Sequence, residues 1–139
     1  MRYLGLDLGT RTLGTSLSDT TLTIASSYKT IRFEDSNYDL LLPQIKQIVE
    51  EFDVKKIVLG LPKNMNNSLG FRSLETIEFQ KKLENYLNME VALQDERLST
   101  IEATSYLIKA DMSRKKRKEK VDSVAANIIL QTYLDKMKG

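Results

Sequence analysis

The chain has 139 residues, 41% hydrophobic and 29% charged, with a formal net charge of +2, which suits one compact soluble domain spanning 1–139. It contains no cysteine and no histidine; this excludes disulfides, thiolate zinc centres, cysteine nucleophiles, serine–histidine triads and histidine-based hydrolase sites. No apolar run approaches a membrane span, and the chain reaches Asp7 too early for a signal-peptide core, so a cytoplasmic protein is expected. Any catalysis must rest on carboxylates, lysine, tyrosine, hydroxyls or a bound metal.

Residues 2–8 and 13–18 read as two strands joined by a turn at 9–12, with a third strand at about 22–30. Short connections make these an antiparallel meander. Leu41, Ile45, Ile48, Val49 and Phe52 recur at helical spacing, with Pro43 either near the start of the helix or distorting it. The apolar run 56–59 has the character of a buried central strand, closed by Gly60, Leu61 and Pro62. A helix follows over 73–87 with Leu74, Ile77, Leu83, Tyr86 and Leu87 on one side, then a fifth strand at 91–94. Ser99 and Glu102 form a capping box for a helix through Ile108, and Val121, Val124, Ala125 and Ile128 belong to a final helix. Three antiparallel strands followed by alternating helices and strands give an α/β fold. The expectation is a five-stranded mixed sheet, three strands antiparallel and two parallel, with helices on both faces. Ligands of such sheets bind beyond the carboxyl ends of the parallel strands.

Asp7 ends an apolar run (Tyr3, Leu4, Leu6) and is flanked by Gly5 and Gly9. An acid there either closes a glycine-rich hairpin or serves a site, because a buried charge needs a partner or a metal. Two further acids, Glu96 and Asp122, lie on elements that this topology brings to the same edge. Each has an ordinary explanation: Glu96 as a solvated loop residue paired with Arg97, Asp122 as an acid in the first turn of the last helix. Three converging carboxylates repel one another, and Mg²⁺ removes that conflict with hard oxygen ligation. The segment 109–120 holds seven basic and two acidic residues, net +5, leaving 14 basic and 17 acidic residues, net −3, for the rest. Such a basic loop either contacts a phosphate backbone or is simply solvated.

Four blocks carry a resemblance over nearly the whole chain. They are Gly5-Leu-Asp7-Leu-Gly9 through Ser18-Asp19, Gly60-Leu-Pro62-Lys-Asn64-Met65 through Gly70-Phe-Arg72, Asp95-Glu96-Arg97-Leu-Ser99-Thr100, and Asp122-Ser-Val-Ala125-Ala126 through Leu134-Asp135. In this order and spacing the chain resembles the YqgF/RuvX family of pre-16S rRNA nucleases, which are related to RuvC-type Holliday-junction resolvases and share the RNase H-like fold. The resemblance implies that Asp7, Glu96 and Asp122 are the catalytic acids and hold Mg²⁺, with Mn²⁺ as a substitute; Asp95 is the alternative ligand. Nucleic-acid contacts are expected from Arg11, Lys63, Arg72, Arg97 and the run Arg114, Lys115, Lys116, Arg117 and Lys118. Where the family has arginine this chain has Thr12, with Arg11 just before it.

The expected activity is metal-dependent phosphodiester hydrolysis, processing the 5′ end of pre-16S rRNA during ribosome biogenesis. The expected partner is RNA, as pre-16S rRNA or a pre-ribosomal particle, or else branched DNA. No membrane is expected, and the protein is either a monomer or a homodimer. The rival functions are a Holliday-junction DNA resolvase, a non-catalytic nucleic-acid or ribosome-binding module, and an actin-like ATPase, whose phosphate loop shares Asp7-Leu-Gly9-Thr10 but whose clamp needs two related domains.

Overall fold

A computed structural model of the chain describes residues 1–9, 11–34, 37–62, 70–95 and 114–138, with side chains described from 124 to 137 in the last stretch. In chain order the elements are β1 (Arg2–Leu8), β2 (Thr12–Ser18), β3 (Ala25–Arg32), a 3₁₀ turn (Tyr38–Leu40), α1 (Leu41–Glu51), β4 (Val54–Leu61), α2 (Phe71–Leu87), β5 (Val91–Asp95) and α3 (Arg114–Lys138). The strands form one sheet in the order β3-β2-β1-β4-β5. β1–β2 and β2–β3 are antiparallel; β1–β4 and β4–β5 are parallel, as the sequence pattern requires.

Strand alternation sorts the side chains into two layers. Leu4, Leu6 and Leu8 of β1, Leu13 and Leu17 of β2, and Ile57 and Leu59 of β4 face α1 and α2, where Leu41, Ile45, Ile48, Phe79 and Leu83 complete the larger core. The opposite face carries Ala25 and Val58, covered by Ile129, Leu130 and Leu134 of α3. β4 is buried on both sides, which explains its unbroken apolar run. At the amino end of β1, Lys56 lies over the rings of Tyr3 and Tyr133 at 5.6 and 5.7 Å and donates to the Tyr133 hydroxyl at 3.2 Å. That hydrogen bond is the main reason its pKa is raised above the usual lysine value.

Several elements differ from the sequence expectation. β3 begins at Ala25, not near residue 22, because Thr23 and Ile24 are held in a turn by the Asp19 carboxylate at 2.7 and 3.1 Å. Pro43 sits in the first turn of α1, where its missing N–H costs nothing, and the helix is not broken there. α2 buries Ser73, Thr76, Phe79 and Leu83, while Leu74 and Tyr86 are 59% and 45% exposed. The buried hydroxyls are satisfied locally: Ser73 donates to the Pro62 carbonyl, and Thr76 to the Arg72 carbonyl at 2.9 Å. The described part of the basic run is not a loop: Arg114 through Lys120 form the first two turns of α3, so Asp122 is the ninth residue of that 25-residue helix and lies beyond its first turn. The helix-dipole explanation of Asp122 therefore falls, since that effect fades within one turn. The helix expected from Ser99 to Ile108 lies outside the described residues.

Candidate active site at the carboxyl edge of the sheet

β1, β4 and β5 run parallel as neighbours and end together, with Leu61 paired to Asp95 and Leu6 paired to Leu59. Asp7 is therefore level with Gly60 on β4 and with Gln94 on β5, because Gly60 pairs with Gln94. On its other side Asp7 pairs with Gly14 of β2. Partly buried Asp7 is thus level with a glycine on each neighbouring strand.

Asp7 shares its face with Tyr3 and Gly5, the face that α3 covers. A Cβ at Gly5 would stand 2.7 Å from Leu130 Cβ and 2.9 Å from the Ala126 carbonyl, so the helix touches bare backbone here. Ser16, paired to Gly5, donates to the same Ala126 carbonyl at 2.9 Å. At the other end the Tyr3 and Tyr133 rings lie 6.3 Å apart. The contacts run in opposite senses along strand and helix: Tyr3 meets Tyr133, and Gly5 meets Ala126 and Leu130. Two further strand residues advance ~6.6 Å and four helical residues ~6 Å. The same register therefore carries the backbone of 122–126 of α3 toward the level of Asp7.

Asp95 has the parity of Val91 and Leu93, which join the α1–α2 core, so it lies on the face away from Asp7. Residue alternation separates Arg11 from Thr12 in the same way. Thr12 shares the parity of Gly14 and Ser16 and so the face of Asp7, whereas Arg11 is exposed in the bend before β2. Its carbonyl accepts from Phe33 N–H at 3.0 Å. Lys63, Glu96 and Arg97 lie outside the described residues, and Arg114, Lys115, Lys116, Arg117 and Lys118 are the first five residues of α3. Among the described residues no three carboxylates converge, two of the three expected acids being beyond description there.

Arg72 was expected to face a phosphate or solvent. Its guanidinium instead donates to the Leu8 carbonyl at 2.8 Å, to the Tyr38 hydroxyl at 2.9 Å and to Glu75 at 2.9 Å. Burial opposes its charge, but Tyr38 and Glu75 outweigh that and raise its pKa above the usual arginine value. Sequence spacing carried no sign of a contact between residues 64 apart. Nor did it mark Gly14 and Gly60 as the residues level with Asp7 on the adjoining strands.

Asp7 offers the oxygen donors that a hard divalent cation takes, and the chain contains neither imidazole nor thiolate to favour a softer ion. Two clefts formed by described residues, one lined by Pro43, Lys46, Glu50 and Tyr86 and one by Tyr38, Glu75, Glu78 and Lys82, belong to the α1–α2 layer behind the sheet from Asp7.

The sheet order and its two helical layers define the RuvC-like, RNase H-like α/β class. RuvC of T. thermophilus, solved in complex with a Holliday junction substrate, superimposes with a TM-score of 0.61 over 99% of this chain and 96% of its own, at 12% identity. The fowlpox virus resolvase, solved with Holliday junction DNA, gives 0.62 over 100% of both chains at 12% identity. These likenesses speak for the fold alone. Within that class, residues 1–136 match the family model described as "RuvX: Holliday junction resolvase". A protein of Bacillus pumilus (strain SAFR-032) named "Putative pre-16S rRNA nuclease" is 48% identical over 137 residues, 99% of each chain. The chain belongs to the RuvX family.

Proposed function

We propose that the chain is a divalent-metal-dependent nuclease, acting as one domain over 1–139, that hydrolyses phosphodiester bonds in the 5′ region of pre-16S rRNA. The observation that carries this reading is Asp7: a carboxylate at the end of a central strand, with glycine on both neighbouring strands and helix α3 in register above it. Asp7, Glu96 and Asp122 hold the ion, Mg²⁺ or Mn²⁺. When bound it lowers the pKa of a water molecule and offsets charge developing on the departing 3′ oxygen. The carboxylates supply oxygen ligands and keep them fixed, two of them on elements tied together at Gly5 and Ser16. The basic start of α3, Arg114 to Lys118, holds the nucleic-acid backbone by charge with little preference for base, and Lys63 and Arg97 add phosphate contacts.

The relative named for pre-16S rRNA supports RNA as the substrate and a cytoplasmic site of action. Among the described residues no helix is long and apolar enough to cross a membrane. Cleavage of a panel containing pre-16S 5′ leader RNA, unrelated single-stranded RNA and a four-way DNA junction, with Mg²⁺, Mn²⁺ or chelator, tests the assignment. Metal-dependent cleavage of the leader RNA is expected. Cleavage of the junction alone assigns a DNA resolvase instead, and binding without cleavage of any substrate refutes an enzyme.

A further inference from the structure

β1 and β4 pair as far as Leu6 and Leu59. Along β1 the carbonyls alternate between the two neighbours; Gly9 N–H bonds to the Thr12 carbonyl on the β2 side at 2.8 Å, which turns the Leu8 carbonyl toward β4. Continuing the parallel register, the donor for that carbonyl is the amide of residue 62. Residue 62 is proline and has no N–H. The carbonyl that follows Asp7 therefore lacks a donor from its own sheet. Arg72, reaching in from the second residue of α2, fills that place at 2.8 Å.

The arginine is itself held. One nitrogen donates to the Tyr38 hydroxyl and to Glu75 Oε1, both at 2.9 Å, and Tyr38 contacts Glu75 Oε2 at 3.3 Å. Tyr38 in turn lies against Phe33 and Phe79, at 5.8 and 6.0 Å between ring centroids. The next residue, Ser73, caps the same region by donating to the Pro62 carbonyl. Glu75 neutralises the guanidinium locally, and its second terminal nitrogen donates to the Leu8 backbone, so less of its charge is left to bind a phosphate.

We propose that Arg72 is a positioning residue for the active site: from α2 it donates the hydrogen bond that Pro62 withholds from the end of β1, and so fixes the backbone that carries Asp7. The inference rests on Asp7 being a metal ligand. Partners that orient metal ligands without touching the metal change affinity by about 10- to 100-fold when removed. Lysine at this position cannot reach Leu8, Tyr38 and Glu75 together.

The test uses the full-length ¹⁵N-labelled chain and Mn²⁺, read as paramagnetic broadening of the Leu8 and Gly9 amide signals. Wild type broadens with a defined midpoint and Asp7→Asn does not. Arg72→Lys raises the midpoint about tenfold, while the salt dependence of RNA binding keeps its slope. Tyr38→Phe, which keeps the ring stack, shifts the midpoint a smaller amount the same way, and decides the matter if Arg72→Lys does not fold. An Arg72→Lys midpoint equal to wild type overturns the positioning role. So does a salt slope reduced by about one, which makes Arg72 a phosphate contact instead. No broadening at Leu8 and Gly9 in wild type overturns the metal reading of Asp7, and the role of Arg72 with it.

Discussion

Gly5→Ala is the smallest change that separates helix α3 from the strand bearing Asp7. The added Cβ would meet Ser16 Oγ at 2.4 Å, Leu130 Cβ at 2.7 Å and the Ala126 carbonyl at 2.9 Å. Ordinary contact begins near 3.4 Å, so the helix must retreat by somewhat under 1 Å and the Ser16–Ala126 hydrogen bond must lengthen. Overpacking of this kind costs about 1–3 kcal/mol, and weakening one buried hydrogen bond about 1 kcal/mol. Replacing glycine within a strand returns about 0.5–1 kcal/mol, leaving a net loss of about 2 kcal/mol. With an unfolding entropy of ~2.1 cal/mol/K per residue, that lowers Tm by about 7 °C. A displacement approaching 1 Å between catalytic groups costs on the order of 100-fold in rate. Activity should therefore fall far more than the fraction folded. The check is a thermal melt beside a cleavage assay at 25 °C, where the variant remains folded. A variant melting with wild type, at wild-type activity, would refute the close approach of α3 at Gly5 and the register that carries 122–126 toward Asp7.

Three other substitutions probe separate parts of the structure. Phe79→Ala empties a fully buried position and should cost about 3–5 kcal/mol in chemical denaturation. Leu74→Ala, on the exposed side of the same helix, should stay within about 0.5 kcal/mol of wild type; a larger loss at Leu74 than at Phe79 would mean that α2 presents the other face. Asp19 has its pKa lowered from 3.8 to about 2, first by the Thr21 hydroxyl and then by the Thr23 and Ile24 amides. A depressed carboxylate stabilises the fold above its unfolded pKa and loses that effect as pH falls through the folded value. Asp19→Asn should therefore melt below wild type at pH 6, with the gap closing between pH 4 and pH 2; a gap constant with pH would contradict this.

The sequence announced the sheet well where one physical signal dominated. β1 and β4 are apolar because the sheet centre is buried on both faces, and Asp7 stood out because such a strand has no ordinary use for an acid. Helix α2 was harder. Its pattern of large apolar residues rightly included Leu83 but also pointed to exposed Leu74 and Tyr86, while the buried face carries Ser73 and Thr76 beside Phe79, with hydroxyls bonded to nearby carbonyls. Hydrophobic periodicity does not register a buried hydroxyl that is already satisfied. The run from Arg114 to Lys120 looked like a loop because it is almost wholly charged, yet lysine, arginine and glutamate are good helix formers. Reading it as helix changes the meaning of Asp122, which loses its place in the first turn. The Arg72 contact was hidden for a different reason. It depends on a proline ending one strand and an arginine starting a distant helix, and neither has meaning until the parallel register of β1 and β4 is known.

Whether Asp7 is a metal-binding catalytic acid is decided by Asp7→Asn in a Mg²⁺-dependent cleavage assay on pre-16S 5′ leader RNA, with RNA binding and a thermal melt as controls. Cleavage is expected to fall to background and no longer respond to Mg²⁺, while the protein remains folded and binds RNA. Cleavage by the variant at the wild-type rate would contradict that role for Asp7.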